Sequence, residues 1–176
     1  VDARLEQLGA VRVLPRAVRP QIGLAYLLAR TTDTIADTEI VPAAKRLQAL
    51  QHLRDRILGQ ENSALDFTEL ARHQGLPAER LLLDRCDGSL ALLRDLSPAD
   101  LQRVRKVLQT IISGQQLDLQ RFADASAATL FALHNEAELD DYTYRVAGCV
   151  GEFWTTLCRA HLFPGEILND TELLAQ

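Results

Sequence analysis

A chain of 176 residues that is 47% hydrophobic and 24% charged has apolar material for one sizeable core, which argues against disorder. A net charge of -5 and a pI near 5.4 leave no basic footprint for nucleic acid. Cys86, Cys149 and Cys158 form no CxxC pair and have no histidine at metal spacing; they read as buried free thiols in a reducing cytoplasm, not as a zinc site or disulfide framework. The longest apolar run, Ile22 to Ala29, is far short of the roughly 18 residues a membrane span needs. No basic flank leads into a signal-peptide core.

Helical spacing recurs along the chain and strict alternation is absent, so the class expected is all-α. Residues 1–9 read as a helical tail. Pro15 and Pro20 then introduce an unusually apolar helix over 20–37. Pro42 suits the first turn of a helix over 43–58, which Gly59 ends as a left-handed cap. A short helix from Phe67 to His73 stops before Gly75. Pro77 opens a helix to Leu96 that buries Leu81, Leu82, Cys86, Leu90 and Leu93, with Gly88 its weak point. Ser97-Pro98-Ala99-Asp100 joins a capping hydroxyl, a first-turn proline and an acid, and starts a helix through Phe122 that Gly114 interrupts. Residues 136–162 form a long amphipathic helix closed by Phe163-Pro164-Gly165, and 166–176 begin another. With no repeat or linker, residues 1–176 read as a single domain.

Tyr26, Arg30, Asp33 and Asp37 fall at i, i+4, i+7 and i+11, one polar stripe on an otherwise apolar helix that therefore faces a cavity or polar interior. Two carboxylates one turn apart suit magnesium, which commonly takes one or two carboxylates plus substrate phosphates, and Arg30 would add a charge-assisted fork. On spacing alone an ordinary Arg30 surface ion pair, worth about 0.3 to 0.5 kcal/mol, is the commoner use of such a stripe.

The second constellation runs from Asp141 to Phe153. Gly148 and Gly151 each weaken a helix interior by about 0.8 to 1 kcal/mol, which close approach by a helix or apolar ligand would offset. Tyr142, Val146, Cys149 and Phe153 again recur on one helical face, a core stripe or the wall of an apolar tunnel.

Taken together, AYLLARTTDTIADT (25–38) resembles the first aspartate-rich motif of squalene and phytoene synthases. YTYRVAGCVGEF (142–153) resembles their tyrosine-centred signature, and GQQLDLQRF (114–122) is similar to their inner helix. The resemblance implies a helical isoprenoid-synthase bundle around an apolar cavity, joining two isoprenyl diphosphates head-to-head. It implies that Asp33 and Asp37 bind Mg2+, that Arg30 grips diphosphate oxygens with Tyr26 beside it, and that Tyr142 assists proton removal or stabilises a cation. Val146, Ala147, Gly148 and Val150 would shape the adjoining wall, with Gln115 on the inner helix. Farnesyl diphosphate is the implied substrate. A squalene synthase would also use NADPH, a phytoene or dehydrosqualene synthase would not, and no nicotinamide fingerprint separates them.

The sequence departs from the family pattern twice. Leu5 to Ala10 lacks the SRSF-like phosphate segment expected before VRVLP, and no second aspartate motif follows the tyrosine signature. The stripe therefore reads as half of a site, and this chain alone is expected to be inactive or impaired. A noncatalytic assembly or lipid-binding family member is the rival reading. Peripheral membrane contact suits an enzyme releasing a hydrocarbon. Of the remaining residues, the four histidines read as surface or helix-end groups and Trp154 as core or cavity wall. Arg54 to Arg56 and Arg103 to Lys106 read as exposed helix faces.

Overall fold

The computed structural model describes residues 13–122 and 132–165, and the expected helical segments at 1–9 and 166–176 lie outside them. The described residues are helical, without strands: α1 (Arg19–Ala36), α2 (Ala43–Leu58), α3 (Thr68–Arg72), α4 (Pro77–Asp84), α5 (Cys86–Ala91), a 3-10 turn (Leu92–Asp95), α6 (Pro98–Phe122), α7 (Glu136–Thr143), a π-helical turn (Tyr144–Gly148) and α8 (Cys149–Leu162).

The central element is α6. Its 25 residues span about 37 Å at 1.5 Å per residue and pack against α1, α2 and α8. Val104, Leu108 and Ile112 recur at helical spacing and are fully buried, as are Leu28 and Ile35 of α1 and Leu50, Leu53 and Ile57 of α2. Each such side chain contributes roughly 1.5–3 kcal/mol. The burial of α1 extends to Thr31, Thr32, Thr34 and the adjoining Thr38, whose hydroxyls donate to carbonyls three or four residues back, so none is left unsatisfied.

The terminators act as their chemistry predicts. Gly59 adopts φ 75° after α2, the Gln60 amide donates to Asp55 O at 2.9 Å, and the orphan carbonyls of the last turn are thereby used. Ser97 Oγ accepts from the Asp100 amide at the start of α6, and Asn135 Oδ1 accepts from the Glu138 amide at the start of α7.

The expected Pro77–Leu96 helix is divided. It breaks at Arg85, whose φ of -108° and ψ of 11° leave the helical basin, three residues before the suspected Gly88. The expected interruption of α6 at Gly114 does not occur. That glycine serves packing: a Cβ there would lie 3.0 Å from Arg145 Cβ, at the root of a neighbouring side chain. The close approach anticipated at Gly148 and Gly151 is thus made at Gly114; among the described residues Gly151 has open space and Gly148 meets only Tyr144 of its own helix.

Two expectations about exposure also change, while His161 keeps the helix-end place expected of it. Trp154 is 41% exposed and continues an exposed face with Val146 and Val150. Arg56 and Arg105 are half-buried, because Arg56 pairs with Asp87 at 2.8 Å and Arg105 donates to Ile57 O. His161 is a structural tie, with Nε2 2.9 Å from the buried carboxylate of Asp100, which also accepts from Gln21 of α1 and Arg103. Cys86 and Cys149 are buried free thiols, and Cys158 is half-buried. No helix among the described residues is long and apolar enough to cross a membrane.

Candidate active site

The stripe on α1 reaches an open cavity of about 560 Å³ bordered by α1, α2, α6 and the α7–π segment. Asp33 and Asp37 lie on its α1 wall, Gln115 and Asp118 on α6, Tyr142 on α7, and Arg145 and Val146 on the π turn. The helix periods explain the assembly: Asp33 and Asp37 are one turn apart, while Ile111, Gln115, Asp118 and Phe122 line one face of α6. The close approach at Gly114 brings the π turn against that face, and Arg145 secures it by donating from Nε to both oxygens of Asp141 at 2.9 Å and from Nη1 to Ser113 Oγ at 2.6 Å.

Burial pushes the Asp33 carboxyl above its ordinary range, opposed by a 2.5 Å hydrogen bond from Gln115 Nε2 and by the charge of Arg30, and reinforced by the charge of Asp37. Burial likewise raises Asp118, opposed by Arg121, and Asp118 Oδ1 is buried without a hydrogen-bond partner, as is Gln115 Oε1. Both are oxygen acceptors without a hydrogen-bond donor among the described residues.

The expected residues divide between two locations. Asp33, Asp37, Gln115, Tyr142 and Val146 share the cavity. Tyr26 is exposed, and Arg30 turns away to donate to Glu79 Oε1 of α4 at 2.6 Å, with its nearest approach to Asp33 at 4.0 Å. Ala147, Gly148 and Val150 are exposed and outside the cavity lining.

The stripe Tyr142, Val146, Cys149 and Phe153 is also divided. The π turn places an extra residue in the helix and shifts its phase, so Cys149 and Phe153 instead line a second cavity of about 400 Å³ between α6 and α8. There Tyr144 Oη donates to Glu152 Oε2 at 2.6 Å, and Lys106 Nζ donates to Glu152 Oε1.

Sequence reasoning assigned no site role to Arg46, Asp118 or Arg145, although Asp118 is the acid that follows Gly114 in the segment similar to the inner helix and Arg145 lies within the tyrosine signature. Arg46 stands in register with the buried Leu50, Leu53 and Ile57, and a charge on an apolar stripe is the signal that marks it. For Asp118 the signal was its i+4 spacing from Gly114, and for Arg145 its i+4 spacing from Asp141.

The donor set fits magnesium. Asp33 and Asp37 supply hard carboxylate oxygens to one open cavity. Among the described residues, no three His, Cys, Asp or Glu side chains enclose a metal by themselves. That combination suits an ion that keeps water and takes part of its shell from substrate phosphate.

The sequence matches the squalene/phytoene synthase family over residues 8–174. The chain belongs to that family. A squalene/phytoene synthase fold agrees with the all-α bundle: the structure is similar to the squalene synthase TcSQS, solved in complex with the ligand E5700, with a TM-score of 0.63 and 22% identity. The match covers 85% of this chain and 39% of the TcSQS chain, so the present chain spans less than half of that relative's length. Comparison with curated protein sequences returns no match.

Proposed function

We propose that the protein is a squalene synthase-like prenyltransferase that condenses two farnesyl diphosphates head-to-head through presqualene diphosphate and reduces the product with NADPH. The observation that supports this reading is the shared cavity, in which the Asp33–Asp37 pair faces Gln115 and the aromatic ring of Tyr142 across an interior also lined by Ile111, Leu119 and Phe122.

Asp33 and Asp37 would hold Mg2+, which when bound supplies Lewis-acid stabilisation of negative charge on a diphosphate. The chain's own part is positional. Gln115 fixes the rotamer of Asp33 through its 2.5 Å hydrogen bond, so the carboxylate is oriented before substrate arrives. Arg30 would have to leave Glu79 to bring its charge to diphosphate oxygens. The C–O bond of one substrate breaks, its electron pair leaves with the diphosphate, the double bond of the second prenyl chain attacks the allylic cation, and the new cation closes the cyclopropane of presqualene diphosphate by losing a proton to the released diphosphate. The Tyr142 ring offers its negative face to the allylic cation, and Ile111, Leu119 and Phe122 exclude water that would quench it.

The test is incubation of the full-length protein with farnesyl diphosphate and magnesium, with and without NADPH. Squalene formed only with NADPH is expected. Presqualene diphosphate or dehydrosqualene with NADPH present, or phytoene from the longer geranylgeranyl substrate, would reassign the product class. Absence of turnover would favour a noncatalytic lipid-binding or assembly role. Peripheral contact with a bilayer follows from release of a hydrocarbon, and co-sedimentation with liposomes measures it.

A further inference from the structure

Arg46 is 7% exposed, on the buried stripe of α2, yet it lines the cavity that holds Asp33 and Asp37. An arginine stays protonated in proteins, so its burial demands compensation. The compensation found is partial. Nη1 donates to Ala36 O at the end of α1, where the helix dipole leaves about half a negative charge. Nε is buried with no hydrogen-bond partner, and among the described residues no carboxylate lies within 4.0 Å of the guanidinium. Arg145, also on the wall, has its Nε taken by Asp141 and its Nη1 by Ser113. The cavity therefore contains Arg145, whose Nε and Nη1 are engaged by protein acceptors, and Arg46, whose hydrogen bond among the described residues is the one to Ala36 O.

We propose that Arg46 is an anion-binding residue of this cavity and contacts the diphosphate of a substrate, an inference that rests on the prenyltransferase reading above. Phosphate oxygens supply the acceptors that the protein withholds from Arg46, and a guanidinium matches them better than an ammonium because its donors lie in one plane. The same side chain holds the carbonyl of Ala36, the last residue of the helix that Asp37 caps, so an anion bound by Arg46 braces the carboxylate pair as well as neutralising charge.

The test is calorimetric titration of the full-length protein with inorganic diphosphate in saturating magnesium, with unfolding temperatures recorded in parallel. Arg46→Gln is expected to weaken diphosphate binding about tenfold or more, in line with loss of a hydrogen bond between charged groups, and Arg46→Lys to restore part of it. Equal affinity in wild type and a folded Arg46→Gln variant overturns the inference while leaving the function intact. Failure of the wild type to bind diphosphate overturns both. Should Arg46→Gln not fold, the wild-type arginine Nε–Hε NMR resonance that is lost in Arg46→Lys decides: it shifts on addition of magnesium diphosphate if Arg46 is a contact, and an unmoved resonance refutes the contact.

Discussion

Replacing Asp100 with Asn keeps the side-chain shape and removes the charge at the point where α1, α6 and α8 meet. Burial by itself would raise this carboxyl, but hydrogen bonds from His161, Gln21 and Ser97, together with the charge of His161, outweigh it and hold Asp100 at about 2 against an ordinary 3.8. At about 1.4 kcal/mol for each tenfold change in proton affinity, that difference contributes about 2 kcal/mol of stability. The carboxylate is almost fully buried, so solvent screening takes little from this figure. Because the folded value lies below the unfolded one, the contribution is complete above about pH 5, falls by about half near pH 3, and is lost as pH drops through 2. Urea unfolding of wild type and Asp100→Asn should therefore give a gap of about 2 kcal/mol near pH 7 that narrows between pH 5 and 3. A gap below about 0.5 kcal/mol at neutral pH, or one that stays constant on acidification, would refute the assignment of Asp100 as an ionic tie.

Asp33→Asn should lower turnover about a hundredfold at limiting magnesium and raise the magnesium concentration needed for half-maximal rate; unchanged magnesium dependence would count against the carboxylate pair. Gln115→Leu should cost about tenfold in turnover with little change in unfolding temperature, since it leaves Asp33 unoriented inside an otherwise intact wall. Gly114→Val must push Arg145 and the π turn away from α6, at roughly 1–3 kcal/mol of overpacking measured by denaturant unfolding, and should raise KM as Tyr142 moves with them. Tyr142→Leu should reduce condensation about tenfold while Tyr142→Phe stays near wild type, because the ring face carries the proposed role. A large loss in the Phe variant would instead assign that role to the hydroxyl.

The parts of the fold governed by local chemistry were legible in the sequence. Gly59 and the Ser97-Pro98 pair end and begin helices through their own backbone and capping preferences, so α2 and α6 start and stop where composition says. The parts governed by neighbours were not. Gly114 reads as a helix breaker in isolation, and only the nearness of Arg145 reveals it as a contact point. A 3.6-residue period carried through 142–153 cannot register the five π-helical residues in its middle, so one stripe was expected where the structure has two. In the candidate site, Asp33 and Asp37 stood out because acids on an apolar helix are costly. Arg46 did not, because beside Lys45 it reads as part of an ordinary basic helix surface, while in the fold it is buried on the stripe of Leu50, Leu53 and Ile57. Trp154 was assigned to the interior on hydrophobicity alone, but its direction from α8 leaves it 41% exposed.

The π turn also lets natural variation act on its two flanks separately. A one-residue deletion within Tyr144–Gly148 would restore an ordinary α-helix and rotate everything upstream by about 100° relative to α8. Tyr142 would leave the cavity while Cys149 and Phe153 kept their packing against α6. Point substitutions on either side can then remodel one cavity without disturbing the other, whereas insertions and deletions between them cannot. The stretch between Thr143 and Cys149 should accordingly tolerate changes of residue far better than changes of length.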